Sequence, residues 1–251
     1  MRYRISAVAA LLFVLIPVRL CGQFPPAPAA PAQSPKDAAR IDLSGYWVSI
    51  VTEDWRFRMM TPPEGDYPDI PLNVEGREVA DAWDPAKDEA SGDACKAYGA
   101  ANIIRMPGRL HITWENDATL KIETDAGMQT RLLRFNAPQT RNRDAQWQGE
   151  SVARWEGRLA GRGGQARSGS LKVITTHMRP GYLQKNGVPY GGNAVMTEYF
   201  DVVKEPSGDQ WLIVKSIVED PQYLVRPFVR STHFRKLPNA SGWNPTPCSA
   251  R

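Results

Sequence analysis

The chain has 251 residues and a formal net charge of +4 at neutral pH, with 31 Lys and Arg side chains against 27 Asp and Glu. This positive excess is small and scattered, and no basic helix or Lys/Arg block is present, which disfavours nucleic-acid binding. After the N-terminal region, no apolar run approaches the length of a membrane-spanning helix.

The N-terminus has the features of a secretory signal peptide in the expected order. A basic start, MRYR, precedes the apolar run ISAVAALLFVLIPV, and RLCGQ offers a cleavage site after Gly22. The run is shorter than the roughly 20 residues that a membrane-spanning helix needs. Cys21 follows Arg19 and Leu20, where a lipid-attachment signal requires small side chains, so lipidation is disfavoured. We predict a signal peptide over 1–22 and a periplasmic or secreted protein.

A Pro- and Ala-rich stretch, FPPAPAAPAQSPKDAAR, follows the signal peptide and predicts a flexible spacer over 23–40. The folded domain is predicted to begin at Ile41 and to extend over 41–251, ending in the Pro-rich tail WNPTPCSAR. Its length of about 210 residues supports one sizeable core and does not require two domains.

Cleavage of the signal peptide leaves two cysteines, Cys95 and Cys248. An even number of cysteines in an oxidising compartment favours a disulfide bond. Such a bond would hold the Pro-rich tail against the domain. The alternative is two separate free thiols.

A two-residue hydrophobic alternation dominates the domain and predicts strands. Turn signals such as END, TDAG, KNG and EPSGD separate them. Sequential strands joined mostly by short turns favour a sheet closed on itself, because closure removes exposed edges. The predicted fold is all-β: a single meandering antiparallel β-barrel of about ten strands with one short covering helix. The candidate strands are 45–51, 54–60, 109–115, 118–124, 129–135, 146–156, 170–178, 194–203, 211–218 and 226–235.

The covering helix is predicted in the segment PLNVEGREVADAW. The segment follows a proline, and DPAKDEASGD ends it. At helical spacing, Val74, Val79, Ala80 and Trp83 share one face. We expect this face to cover part of the sheet or one end of the barrel.

Two resemblances support this fold. DLSGYW at 42–47 is similar to the Gly-x-Trp opening of lipocalin-like barrels, which implies that Trp47 plugs one end of a calyx. The segments SVARWEG, LKVITT, TEYF and IVEDPQYLVRPF, with PLNVEGREVADAWDPAKDE before them, resemble a widespread, uncharacterised group of secreted bacterial β-rich proteins. In that group the following strand comes almost directly after WEG, whereas here RLAGRGGQARSGS intervenes and predicts an inserted surface loop. The resemblance implies export and a β-rich fold but supplies no chemistry.

The three histidines raise the possibility of a metal site, because three imidazoles on a β scaffold can bind zinc or iron. Strand alternation disfavours a shared site. If 171–178 and 194–203 form a hairpin, His177 faces Met196 and lies diagonal to Glu198. The same count places Ile217, Phe228 and Phe234 on that face and His233 on the other. His111 alternates with apolar neighbours and is expected to face solvent. No metal and no cofactor is predicted.

The stretch HMRPGYLQKNGVPYGGNAVMTEYF is the predicted functional loop, since its Gly and Pro residues suit a loop folded over a barrel mouth. Tyr182 and Tyr190 offer flat apolar contact with a hydroxyl group. His177 and Glu198 are candidates for a buried acid–base pair. The predicted ligand-binding residues are His177, Arg179, Tyr182, Tyr190, Glu198 and Trp47. The alternative is a long surface hairpin whose tyrosines cover the barrel end.

Two functions of different class fit these residues. The first is an exported barrel that binds a small apolar or aromatic molecule in a lumen lined by Trp, Phe, Met and Ile. The second is a cofactor-independent lyase, isomerase or hydrolase with His177 and Glu198 as base and acid. The sequence contains no Gly-x-Ser-x-Gly, phosphate-loop, dinucleotide-binding or His-Glu-x-x-His motif, which disfavours the enzyme.

Overall fold

The computed structural model describes residues 33–52, 54–135, 144–157 and 169–251. The predicted signal peptide, residues 23–32 of the predicted spacer and residues 158–168 of the predicted inserted loop lie outside the described residues. Within the described ranges, no helix is both long and apolar enough to cross a membrane. Residues 33–40, the rest of the predicted spacer, contact the barrel: the Pro35 carbonyl accepts a hydrogen bond from the Trp155 indole at 2.7 Å.

The predicted all-β barrel is confirmed. Nine strands form a closed barrel in the order β1, β11, β10, β9, β6, β5, β4, β3 and β2, and β2 pairs with β1. The remaining two strands, β7 and β8, form a separate hairpin. The strands are β1 Gly45–Ile50, β2 Arg109–Asn116, β3 Thr119–Thr124, β4 Thr130–Phe135, β5 Glu150–Gly157, β6 Gly169–Thr176, β7 Gly181–Gln184, β8 Val188–Tyr190, β9 Val195–Lys204, β10 Gln210–Glu219 and β11 Phe228–Leu237.

One pair of neighbouring strands departs from the predicted antiparallel meander. β4 and β5 run parallel, with Leu133 opposite Ser151 and Phe135 opposite Ala153. All other neighbours in the barrel are antiparallel. Hydrophobic alternation has the same period in both arrangements, so it carries no information on strand direction.

Nine of the ten predicted strand segments are strands, and the tenth, 54–60, is wrong. It contains the short helix α1, Trp55–Arg58. The helical turn brings the Arg58 guanidinium to two backbone carbonyl groups, those of Ile50 at 2.7 Å and Arg105 at 2.8 Å. These tertiary bonds override the alternation of Trp55, Phe57 and Met59, which is typical of a strand.

The barrel interior is filled by one hydrophobic cluster. Alternate residues of each strand point inward, and Trp47, Phe200 and Phe234 are fully buried in this cluster. The Trp47 indole donates to the Leu43 carbonyl at 2.9 Å, which satisfies its only donor. Each side chain of this size contributes roughly 1.5–3 kcal/mol by leaving water.

A cap closes one end of the barrel, where β6 ends and β9 begins. It consists of α1, α2 (Val74–Asp81), α3 (Pro85–Ala90), a 3-10 helix (Lys96–Tyr98), α4 (Ala100–Ile103) and the β7–β8 hairpin. Ile103 and Ile104 join the barrel cluster, so the cap inserts apolar side chains into the barrel end. A second cluster, which includes Leu183 and Tyr190, forms the core of the cap.

The predicted covering helix is confirmed as α2, but its predicted apolar face is wrong. Asn73 caps the helix by accepting from the Gly76 amide at 2.8 Å. Ala80 is buried, whereas Val74 and Val79 are exposed. Gly76 supplies the contact surface instead, because a Cβ at this position would lie 2.7 Å from the Tyr223 carbonyl oxygen.

The predicted disulfide bond is confirmed. Cys95 and Cys248 are bonded with their Cα atoms 5.1 Å apart, and they are separated by 153 positions in the chain. The tail around Cys248 pairs with the β3–β4 turn, since Thr246 donates its amide to the Asp125 carbonyl at 2.8 Å. The bond therefore ties the tail to both the cap and the barrel.

Candidate functional site

The predicted pair of His177 and Glu198 is not formed. β6 ends at Thr176, and His177 has a left-handed backbone with φ of 55°. Its Nδ1 lies 2.9 Å from the Thr176 hydroxyl and 4.0 Å from the Glu150 carboxylate. The predicted register is wrong by two residues, because Thr175 and not His177 lies opposite Met196. The predicted parity still holds at Thr175, which faces inward. The left-handed residue then ends the alternation, so the count cannot be extended to His177.

Glu198 instead pairs with an arginine inside the barrel. Arg131 donates from Nη2 to Glu198 and to the Thr175 hydroxyl, and from Nε to the Ser151 hydroxyl at 3.1 Å. All four side chains are buried. Among the described residues, Arg131 Nη1 and Glu198 Oε1 have no hydrogen-bond partner. A carboxylate held by a buried guanidinium is suited to a structural ion pair and not to proton transfer.

The other loop residues predicted as ligand-binding hold the hairpin against the cap. The Tyr182 hydroxyl donates to Asp88 at 2.8 Å, and burial together with this bond raises its pKa. Tyr190 is fully buried, and burial raises its pKa as well. Arg179 pairs with Asp93 at 2.7 Å. Trp47, the sixth predicted residue, lies in the barrel interior.

The three histidines lie apart. His233 pairs with Ile50 and Ile213 on neighbouring strands, while Phe234 beside it is fully buried, so His233 lies on the face opposite Phe228 and Phe234 as predicted. The His111 ring stacks on Tyr46 at 4.1 Å between ring centroids. In the part of the chain that the structure describes, no three His, Cys, Asp or Glu side chains are grouped to hold a metal ion.

One residue of the predicted inner face is wrong. Met196 pairs with Val218, so Val218 faces inward and Ile217 faces outward. The prediction carried the alternation of inward and outward residues from β9 into β10. It assumed a turn between these strands that differs by one residue from the observed turn. A shift of one residue exchanges the two faces of a strand.

Two adjacent clefts open in the cap, and together they form what we call the capped-end groove. The first lies between α1, α4 and the end of β7. The second extends from the same junction toward β11. Both are lined by Phe57, Arg105 and Gln184, so these three residues lie at the junction. None of the six predicted ligand-binding residues lines either cleft.

The apolar part of the groove comes mainly from α1 and its neighbours. Phe57 lies at the junction, Met60 and Met106 line the first cleft, and Tyr67 and Ile70 line the second. The α1 segment also exposes large apolar side chains at the surface: the exposed fractions are 60% for Trp55, 56% for Met59 and 67% for Met60. These three side chains lie within six residues, and one of them, Met60, also lines the first cleft.

The polar part of the groove centres on Arg105. This residue is buried and donates to the Leu183 carbonyl at 3.0 Å and to the Asp54 carboxylate at 3.2 Å. Burial lowers its pKa to about 10; the charge of Asp54 opposes this shift, and the charges of Arg230 and Arg58 add to it.

Gln184 and Arg230 complete the polar lining. Gln184 is 4% exposed, and its Nε2 has no hydrogen-bond partner among the described residues. The guanidinium groups of Arg105 and Arg230 lie 5.5 Å and 4.7 Å from the centroid of the Phe228 ring. Gln184 Nε2 is therefore a buried donor without a described partner, in a lining that also contains two guanidinium groups.

Sequence reasoning missed this groove because its residues come from distant segments. Gln184 lies within the loop that the sequence singled out, but Phe57 and Arg58 fell in a segment predicted as a strand. One signal was present: WRFRMM combines aromatic residues, methionines and arginines in six positions.

Comparisons of the chain with protein-family models, with curated proteins and with solved structures each found no match.

Proposed function

We propose that this protein is an exported β-barrel that binds a small apolar or aromatic molecule in the capped-end groove. The observation that carries the proposal is the junction of the two clefts, where Phe57 lies beside buried Arg105 and Gln184. Concave sites with an apolar lining and a few placed polar groups are the usual form of small-molecule sites.

The barrel interior is a weaker place for the ligand than the groove. Its side chains form one buried cluster, and Ile103 and Ile104 from the cap belong to it. A ligand in the lumen would have to displace packed side chains, whereas the groove is open to solvent. We therefore place the ligand at the mouth of the barrel and not in its lumen.

Export is proposed on three grounds. The N-terminus has the features of a signal peptide, the disulfide between Cys95 and Cys248 suits an oxidising compartment, and the chain resembles secreted bacterial proteins. The DLSGYW opening adds a similarity to lipocalin-like barrels. These features support a periplasmic or secreted binding protein. The enzyme alternative is not proposed, because His177 and Glu198 have separate partners.

Native mass spectrometry of the folded protein, purified from the exported fraction of its own host, tests the proposal. We expect a retained small molecule that is lost on denaturation. In Met60→Glu the retained fraction should fall about fivefold, because the variant places a charge where apolar contact is proposed. Met128→Glu is the matched control: Met128 is 61% exposed, lies on the β3–β4 turn and lines neither cleft.

Two results would count against the groove. If the wild-type protein retains no molecule and binds none from an extract of its host, the binding function is wrong. If Met60→Glu and Met128→Glu retain the ligand as the wild type does, the ligand does not lie against α1.

A further inference from the structure

We infer that the ligand of the capped-end groove is a small organic acid, whose carboxylate accepts hydrogen bonds from Arg105 and Gln184. The inference rests on the proposed function and specifies its ligand class. In the groove lining, hydrogen-bond donors outnumber hydrogen-bond acceptors. An uncharged apolar ligand would leave these donors without a partner.

The charges that line the groove are mostly positive. Four of the lining side chains are Arg or Lys, and one, Asp69, is an acid. Asp54 adds one more carboxylate through its bond to Arg105. The four basic side chains are Arg58, Arg105, Lys185 and Arg230.

Arg105 has donors left for a ligand. A guanidinium carries five N–H groups, and the bonds to Leu183 and Asp54 use two of them. Those two bonds fix the plane of the group. A fixed guanidinium plane favours a planar carboxylate, which can accept two parallel hydrogen bonds.

Gln184 provides an independent indication. Its side chain is buried at the junction of the clefts, yet Nε2 has no partner in the described part of the chain. A buried donor without an acceptor is costly, so a structure retains it where an acceptor arrives from elsewhere. A carboxylate bound to Arg105 would supply that acceptor at the same junction.

The electrostatic balance favours a single negative charge. Arg105 is held in a buried position near the positive charges of Arg58 and Arg230, and the carboxylate of Asp54 offsets part of their repulsion. A bound monoanion would relieve this repulsion. Asp69, at 3.9 Å from Arg230, already offsets part of the positive charge, so a doubly charged phosphate would meet a carboxylate at the far side of the groove.

Matched ligands test the inference with the full exported chain. Isothermal titration calorimetry would compare phenylacetate, cinnamate and octanoate with phenylethanol, cinnamyl alcohol and octanol. We expect at least one acid to bind about tenfold tighter than its alcohol, since hydrogen bonds to a charged group are stronger than those to a hydroxyl. The advantage of the acid should decrease as salt is added.

Substitutions in the groove locate the carboxylate. Arg230→Gln should weaken the acid about fivefold and leave the alcohol unchanged, because Arg230 is partly exposed and contributes charge. Arg235→Gln is the matched control on the same strand, with its guanidinium paired to Asp209 on the barrel wall. Gln184→Glu should abolish the preference for the acid, because it replaces a donor with a negative charge.

The outcomes separate the two claims. If alcohols bind in the groove as tightly as their acids, the inference is wrong and the proposed function stands. If neither acids nor alcohols bind, the inference is wrong, and native mass spectrometry of the retained molecule decides the proposed function. Binding of inorganic phosphate that excludes the organic acids would also overturn the inference. If a thermal unfolding assay shows that Gln184→Glu does not fold, the acid affinity of Arg230→Gln is compared with that of Arg235→Gln. Equal affinities in these two variants would overturn the inference.

Discussion

Arg131 and Glu198 form a buried ion pair inside the barrel, directly below the cap. Arg131 comes from β4 and Glu198 from β9, so the pair spans four consecutive strands of the barrel wall, β4, β5, β6 and β9. Ser151 and Thr175 accept the remaining described hydrogen bonds of the guanidinium. Glu198, which the sequence suggested as a catalytic acid, is therefore bound by a structural partner, Arg131.

Removing only one of the two charges of this ion pair should lower the stability of the protein strongly. Glu198→Gln leaves the buried guanidinium without its counter-charge, and we expect the free energy of unfolding to fall by about 3–5 kcal/mol. The double variant Arg131→Met, Glu198→Leu should recover most of this loss, because apolar residues of similar volume replace the pair. Urea unfolding measures both. Arg154→Gln, which breaks the exposed pair with Glu156, is the control and should change stability by less than about 1 kcal/mol.

The disulfide bond should be a major contributor to stability. Reduction frees a loop of 153 positions in the unfolded chain, and the chain-entropy model then gives a loss of about 5 kcal/mol. Urea unfolding with and without reductant measures the difference, and the variant Cys95→Ser, Cys248→Ser should match the reduced protein. Equal unfolding midpoints in all three samples would show that the tail contributes nothing.

Buried tyrosines predict a loss of stability at alkaline pH. Burial raises the pKa of Tyr190, and burial with the hydrogen bond to Asp88 raises that of Tyr182. Above the unfolded value of 10.0 the unfolded chain releases protons that the folded chain keeps, so the free energy of unfolding falls as the pH rises further.

Tyr190→Phe isolates this effect. The Tyr190 hydroxyl has no hydrogen-bond partner among the described residues, so its removal should change stability at neutral pH by less than about 1 kcal/mol. Above pH 10 the variant should lose stability less steeply, by up to about 1.4 kcal/mol per pH unit. Urea midpoints measured across this range check the slope. An identical slope in wild type and variant would contradict the shifted pKa of Tyr190.

Hydrophobic alternation predicted most of the barrel because it follows directly from burial of one strand face. It failed where tertiary contacts decide the structure. α1 exists because Arg58 reaches the carbonyls of Ile50 and Arg105, and the parallel pairing of β4 and β5 leaves no mark on alternation. The β7–β8 hairpin was missed because both strands are buried on both faces and so do not alternate.

The candidate site was predicted less well for a geometric reason. The predicted parity of β6 is correct at Thr175, but the predicted register is off by two residues, and the left-handed backbone at His177 ends the alternation. Phe57, Arg105 and Gln184 are far apart in the chain, and each is an ordinary residue in its own segment. Only the folding of the cap brings them to one junction.

His177 offers a test of its structural role. A left-handed backbone costs a histidine roughly 1 kcal/mol more than a glycine, so His177→Gly should leave the free energy of unfolding unchanged or slightly raised. His233→Gly, within β11, should lower it by about 1 kcal/mol or more. Urea unfolding measures both variants. A loss of ligand binding in His177→Gly without a loss of stability would return His177 to the functional site.

Photoaffinity labelling tests the central claim most directly, because it reports where a ligand lies. A diazirine analogue of octanoate would be cross-linked to the folded protein, and the labelled peptides would be identified by mass spectrometry. We predict labels on α1 and its flank, residues 54–60, and on 102–106, with labelling suppressed by excess octanoate. Labels confined to inward-facing strand residues such as Phe200 and Phe234, or labelling that octanoate does not suppress, would contradict the capped-end groove as the binding site.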